Sequence, residues 1–92
     1  IVHAFMKILF CGDVMGASGR KALRDHLPRL RREHGLQCVI ANGENAAHGF
    51  GLTRALAEEM RSHGVDVLTT GNHVWDQKEL LKDIAQLPYV LR

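Results

Sequence analysis

The sequence predicts an α/β fold built on a partial sheet of mainly parallel strands, with helices on both faces. Short apolar runs alternate with amphipathic helical stretches three times along the chain, and the connections between them are short. Such an order gives right-handed crossovers and a parallel sheet covered by helices. The 92 residues, of which 46% are hydrophobic and 24% charged, are enough for one globular domain.

The elements of this fold follow from local patterns. The predicted strands are residues 7–11, 38–41 and 65–70, and residues 88–91 begin a fourth. The predicted helices run over residues 17–34, 53–64 and 76–85. Gly35 is a plausible stop for the first helix, which Pro28 is expected to bend or divide. Thr53 is expected to cap the second helix. The run at 7–11 is typical of a strand buried on both faces.

Composition excludes several classes of protein. A formal charge of +2 is too small to indicate a nucleic-acid surface, so the basic first helix is interpreted as a solvated face. Cys11 and Cys38 lie in apolar runs and are interpreted as small core residues rather than a disulfide. No apolar run approaches the roughly 18 residues of a membrane span, so we expect a cytoplasmic protein without a membrane partner. Residues 1–5 are expected to be a tag or an upstream extension, with 6–92 as the folded part.

Polar side chains follow each of the three predicted strands. Asp13 follows the first, Glu44 and Asn45 the second, and Asn72 and His73 the third. Ligands bind beyond the carboxyl ends of parallel strands, so these residues should converge on one rim. Carboxylate and amide oxygens with an imidazole can hold one or two divalent cations of the Mg, Mn, Fe or Zn group. Two such cations can clamp the attacking and leaving oxygens of a phosphate ester.

Each of these residues also has a structural interpretation. Asp13 can cap the following helix, Asn45 and Asn72 can close turns, and His73 can be a packing histidine. The occurrence of polar clusters after three consecutive strands favours the functional interpretation. His48 follows Glu44 and Asn45 in a glycine-containing loop and is a candidate substrate-binding residue.

The loops resemble those of a known family. Three motifs are similar to the first three motifs of calcineurin-like metallophosphoesterases: Gly12-Asp13, Gly43-Glu44-Asn45 and Gly71-Asn72-His73. The amino-acid sequences of these loops are similar to those of the YmdB-type branch of that superfamily. The resemblance implies the N-terminal part of a four-layer metallophosphoesterase fold. It further implies a centre of two divalent metal ions, Mn, Fe, Mg or Zn, that hydrolyses phosphodiesters such as 2′,3′-cyclic nucleotides.

The same resemblance implies a role for each motif residue. Asp13 would ligate one metal, Glu44 would bind or bridge both, and Asn45 and Asn72 would bind the second. His73 would be the catalytic general acid, a task that suits a protonated imidazole near neutral pH. The expected partner is a small phosphoester or cyclic nucleotide, with RNA as an indirect partner and a homo-oligomer left open.

Two departures from the family pattern matter. Met15 stands where the wider superfamily has a histidine, a feature that the YmdB-type branch shares. Family members also take metal-binding histidines from a region beyond the length of this chain, so we expect this chain to hold about half the site.

The alternative function is that of a non-enzymatic nucleotide- or RNA-binding α/β module. A dinucleotide-binding fold is disfavoured because residues 12–19 lack the G-x-G-x-x-G spacing.

Overall fold

The computed structural model describes residues 5–47, 51–71 and 78–91. Its elements in chain order are β1 (Ile8–Asp13), α1 (Gly16–His34), β2 (Cys38–Asn42), α2 (Arg54–Ser62), β3 (Val67–Thr69), α3 (Lys78–Asp83), a 3-10 turn (Ile84–Gln86) and β4 (Val90–Leu91). The alternation of strands and helices expected from the sequence is confirmed in these ranges, with boundaries shifted by a few residues.

The sheet is parallel throughout, with its four strands in the order β1-β2-β3-β4. Phe10 is paired with Ile40, and Ile40 with Val67, so these three residues form one row across the sheet. Each strand is added beside the previous one along the chain. Because parallel crossovers are right-handed, this sequential order brings every connecting helix to the same face of the sheet.

The hydrophobic core confirms that arrangement. Leu27 of α1, Met60 of α2 and Leu80 of α3 all belong to one buried cluster with Val39 and Leu68 of the sheet. The three helices therefore share a single core with the strands, and the described helices lie on one side of the sheet.

The opposite face of the sheet is open in the described part of the chain. Ile8 is 54% exposed and Phe10 61% exposed, whereas their neighbours Leu9 and Cys11 pack against the core. The expectation of helices on both faces, and of a first strand buried on both faces, is therefore corrected for the described residues. An apolar run shows that a strand can be buried on both of its faces. The strand order decides which faces of the sheet the helices cover.

Local signals set the helix ends. Gly35 ends α1 in the left-handed region, with φ 61°, and its N–H bonds the carbonyl of Arg31. A residue without a Cβ adopts that conformation at little cost. Pro28 lies inside α1 on its exposed side and does not divide the helix, which is continuous from Gly16 to His34.

Thr53 caps α2 as predicted, because its Oγ1 accepts a hydrogen bond of 3.2 Å from the Leu56 N–H. Removing that acceptor leaves a helix-terminal donor without its partner. We therefore expect Thr53→Ala to lower the free energy of unfolding by about 1 kcal/mol. Urea unfolding measures the change, and Thr53→Ser, which keeps the oxygen, should retain most of the stability. An equal loss in both variants would contradict the cap.

Asp66 joins α1 to the sheet just before β3. Its Oδ2 accepts hydrogen bonds from Arg31, at 2.7 Å, and from the Val39 N–H, at 2.8 Å. Burial opposes ionisation of Asp66, but these hydrogen bonds and the positive charges of Arg31 and Arg61 outweigh it. The pKa of Asp66 is therefore held below its ordinary value of 3.8. The charged form is the one that the fold stabilises.

The lowered pKa of Asp66 predicts a free energy of unfolding that depends on pH. The stabilising contribution of the ionised Asp66 side chain is fully present above the unfolded-state pKa of 3.8, and it is lost as the pH falls through the lower folded-state pKa. The side chain is partly exposed, so we expect Asp66→Asn to cost about 0.5–1 kcal/mol at pH 6 and to approach the wild type near pH 2. Urea unfolding across that range tests this, with the exposed Glu33→Gln as control. A difference that does not change with pH would contradict it.

Candidate functional site

The loops after the first three strands are tied together at the carboxyl edge of the sheet. The Val14 N–H donates to the carbonyl of Asn42 at 3.0 Å, which joins the loop after β1 to the end of β2. The Gly43 N–H donates to the carbonyl of Thr69 at 2.8 Å, which joins the loop after β2 to the end of β3. The predicted convergence of these loops on one edge is therefore seen as far as the described residues extend.

Asp13 and Asn45 are brought into direct contact at this edge. The Nδ2 of Asn45 donates to Oδ1 of Asp13 at 2.9 Å and to Oδ2 at 3.0 Å. The Gly16 N–H also donates to the carbonyl of Asn45, at 3.0 Å, which fixes the backbone of that residue against the start of α1. Asp13 is exposed. Because the amide nitrogen of Asn45 faces Asp13, its Oδ1 is turned away from that carboxylate and is the atom that can ligate a cation.

Glu44 reaches from the loop after β2 to the loop after β3. Its backbone N–H donates to Oδ1 of Asn42 at 3.1 Å, which shapes the turn at the strand end. Its carboxylate lies directly against the backbone of Gly71, close enough that a Cβ built there would be 2.7 Å from the carboxyl carbon. The side chain is half-buried. Glu44 is thus placed beside the chain segment in which Asn72 follows.

Structural interpretations of two candidates can be tested directly. The residue preceding α1 is Met15, which makes no side-chain capping hydrogen bond, so Asp13 is not the cap of that helix. The side chain of Asn45 bonds Asp13 rather than its own turn. The residue that does shape the turn is Asn42, which the sequence reasoning did not single out. Its position before Gly43 is the signal that could have indicated this role.

The predicted residues Asn72, His73 and His48 lie outside the described residues, so their roles remain predictions. Within the described ranges, no group of three or more His, Cys, Asp and Glu side chains is gathered as a metal site would require. The described edge instead offers two carboxylates, from Asp13 and Glu44, and an amide oxygen from Asn45. Carboxylate and amide oxygens suit Mg, Mn and Fe cations, so these three residues fit part of a metal centre.

The basic face of α1 is partly neutralised by acidic partners. Arg20 pairs with Glu59 of α2 at 3.3 Å, and Arg31 pairs with Asp66 at 2.7 Å. These contacts hold α1 against α2 and against the segment that leads into β3, so Arg20 and Arg31 are half-buried and do not belong to a solvated face. That interpretation is confirmed for the remaining basic residues of the helix, which are exposed: Lys21, Arg24, Arg29 and Arg32.

Two other sequence predictions concern the cysteines and membranes. Cys11 and Cys38 are free thiols and are half-buried, and burial raises the pKa of the Cys11 thiol. In the ranges 5–47, 51–71 and 78–91, none of the helices has the length and apolar character needed to cross a bilayer.

The fold is that of the N-terminal part of an α/β phosphatase, as superposition on solved structures shows. A phosphatase from Mycoplasma pneumoniae matches with a TM-score of 0.89 and 36% identity, over 95% of this chain and 31% of that one. A hypothetical protein from Thermus thermophilus matches with a TM-score of 0.85 and 45% identity, over 95% of this chain and 33% of that one.

The sequence profile of the YmdB-like protein family matches residues 9–92, so the chain belongs to that family. This confirms the resemblance that the three loop motifs indicate. A 2′,3′-cyclic-nucleotide 2′-phosphodiesterase of Bacillus subtilis (strain 168) is 42% identical over 87 residues, which are 95% of this chain and 33% of the relative. A Mycoplasma genitalium protein that carries a phosphatase/phosphodiesterase name is 40% identical over 87 residues, 95% of this chain and 31% of the relative.

This chain therefore spans about a third of the length of the relatives that it matches. The matched third includes the carboxyl edge of the sheet with Asp13, Glu44 and Asn45. The comparisons thus place this edge within a segment shared with proteins that are named as phosphatases and phosphodiesterases.

Proposed function

We propose that this chain supplies one part of the active site of a metal-dependent phosphodiesterase with two divalent cations. The observation that carries the proposal is that Asp13, Asn45 and Glu44 lie at one edge of the sheet. Asn45 contacts Asp13, and Glu44 contacts Gly71 in the loop after β3. Oxygen ligands from adjacent strand ends are what a pair of divalent cations requires. The names of the relatives support hydrolysis of phosphoesters as the reaction.

The proposed roles follow the family motifs. Asp13 would hold one cation, Glu44 would contribute to holding both, and Asn45 and Asn72 would hold the second. Cations of the Mn, Fe, Mg or Zn group held there would supply neutralisation of charge on the phosphoryl oxygens and a water of lowered pKa as the nucleophile. Asn45 additionally holds the Asp13 carboxylate in place through its Nδ2. His73 in its protonated form donates a proton to the leaving oxygen.

We further propose 2′,3′-cyclic nucleotides as the substrate class, with His48 contacting the substrate. The support is the name of the Bacillus subtilis relative, a 2′,3′-cyclic-nucleotide 2′-phosphodiesterase. Hydrolysis opens the cyclic diester at the 2′ oxygen, which leaves with a proton, and gives a 3′-phosphomonoester. We place the protein in the cytoplasm, and the free Cys11 and Cys38 are compatible with a reducing compartment.

The direct test is a panel of phosphodiesters with added Mn²⁺. Bis-p-nitrophenyl phosphate, 2′,3′-cyclic AMP and 3′,5′-cyclic AMP are compared for this chain and for a version extended to the length of its relatives. We expect the extended protein to hydrolyse the first two and to prefer the 2′,3′-cyclic over the 3′,5′-cyclic nucleotide. Nucleotide binding that needs no metal, with no turnover in either protein, would instead support the binding module.

A further inference from the structure

Glu44 occupies space that any side chain at position 71 would need. A Cβ built on Gly71 would lie 2.7 Å from the carboxyl carbon of Glu44 and 2.9 Å from its Oε1, with Oε2 closer still. Contacts under 3.0 Å are essentially never made by a real Cβ. The Glu44 carboxylate therefore could not keep its present position if residue 71 carried a side chain.

The two residues before Gly71 are tied to neighbouring segments by hydrogen bonds. Thr69 accepts the hydrogen bond from the Gly43 N–H, and Oγ1 of Thr70 donates to the carbonyl of Leu91 at 2.7 Å. The atoms of Glu44 that a Cβ at 71 would meet are the far end of a long side chain with several rotatable bonds. Gly71 is not among the described glycines with a positive φ, so alanine can adopt its backbone conformation without strain. A side chain at 71 would therefore displace the carboxylate and leave the backbone where it is.

Two other glycines of the motifs differ from Gly71 in this respect. A Cβ at Gly43 would meet side chains of the core, Leu68 and Met60, at 3.4 Å. A Cβ at Gly12, the residue before Asp13, would meet nothing within 4 Å. At Gly71, in contrast, a Cβ would meet the carboxylate of a candidate-site residue from a different loop, Glu44.

We propose that Gly71 is a positioning residue for Glu44: the missing side chain at 71 provides the space in which the Glu44 carboxylate is held at the carboxyl edge of the sheet. The inference rests on the proposed function, because Glu44 is the ligand assigned to both cations there. The residue at 71 thereby determines where Glu44 presents its oxygens, although Gly71 itself offers no side-chain ligand.

The test compares Gly71→Ala with Gly12→Ala, a matched glycine substitution beside the other carboxylate. Metal-free NMR spectra of this chain report the Glu44 side chain and its contacts with residue 71. We expect the Glu44 side-chain resonances to move in Gly71→Ala and not in Gly12→Ala, with the Leu68 resonances unchanged in both. Mn²⁺ titration of the extended protein should then show affinity reduced about 10- to 100-fold in Gly71→Ala, close to the level of Glu44→Gln, and unchanged in Gly12→Ala.

The outcomes separate the two proposals. Glu44 resonances that stay in place in Gly71→Ala would overturn the positioning role, as would a Gly71→Ala chain that does not fold, since the clash involves only a flexible side-chain end. Moved resonances with Mn²⁺ affinity equal to that of the wild type would overturn it as well. If the extended wild-type protein binds no Mn²⁺ while the Glu44 resonances move, the positioning role is supported and the metal-dependent function fails.

Discussion

Glu44→Gln is expected to abolish metal-dependent hydrolysis of bis-p-nitrophenyl phosphate in the extended protein, with a loss in kcat/KM on the order of 10³-fold. The substitution keeps the size of the side chain and removes its negative charge. Glu44 is the carboxylate that reaches from the loop after β2 to the loop after β3, where it lies against Gly71. A neutral amide there would bind both proposed cations weakly, so substrate would lose its charge neutralisation in the transition state.

Two measurements accompany that assay. The metal content of the purified variant should fall with its activity, because the same side chain is assigned to both cations. The control is Glu58→Gln, which removes an exposed carboxylate on α2 that pairs with Arg54 at 3.0 Å and is not one of the proposed ligands. It should leave turnover unchanged. Full activity in Glu44→Gln would rule out Glu44 as the bridging ligand.

Leu68→Ala is expected to lower the free energy of unfolding by about 2–5 kcal/mol. Leu68 is fully buried in β3, and its side chain lies in the cluster that joins the sheet to the three helices. Truncation would remove its apolar contacts and leave a cavity that the neighbouring strands cannot easily fill. Since small domains are stable by only about 5–15 kcal/mol, the loss is a large fraction of the total.

The matched control for Leu68→Ala is Leu91→Ala in the neighbouring strand β4. Leu91 is 53% exposed on the open face, and we expect its truncation to change stability by about 0.5 kcal/mol or less. Urea unfolding of this chain measures both variants. A cost for Leu91→Ala as large as that for Leu68→Ala would mean that the open face of the sheet is covered in solution.

Local features of the fold could be predicted because they depend on neighbouring residues. Gly35 ends α1 through its left-handed backbone, and Thr53 caps α2 through a hydroxyl three residues from its partner. The strands follow from short apolar runs of β-branched and aliphatic residues. The side of the sheet that the helices cover could not be predicted in this way. It depends on the strand order, which is set by contacts between distant segments.

In the candidate site, too, the features that depend on neighbouring residues could be predicted, and the contacts between distant segments could not. The positions of Asp13 and Glu44 at strand ends follow from the sequence, because polar residues after apolar runs mark the carboxyl edge of a parallel sheet. The hydrogen bonds from Asn45 to Asp13 join residues 32 positions apart, and the contact of Glu44 with Gly71 joins two separate loops. No local pattern specifies such contacts, which arise only when the strands are in register.

Removing and restoring the metal in the extended protein tests whether this edge of the sheet holds catalytic cations. Metal content by mass spectrometry and hydrolysis of 2′,3′-cyclic AMP are measured before chelation, after chelation and after addition of Mn²⁺. We expect about two metal ions per chain, loss of turnover with their removal and recovery with Mn²⁺. Turnover that is unchanged in a protein freed of metal would contradict it.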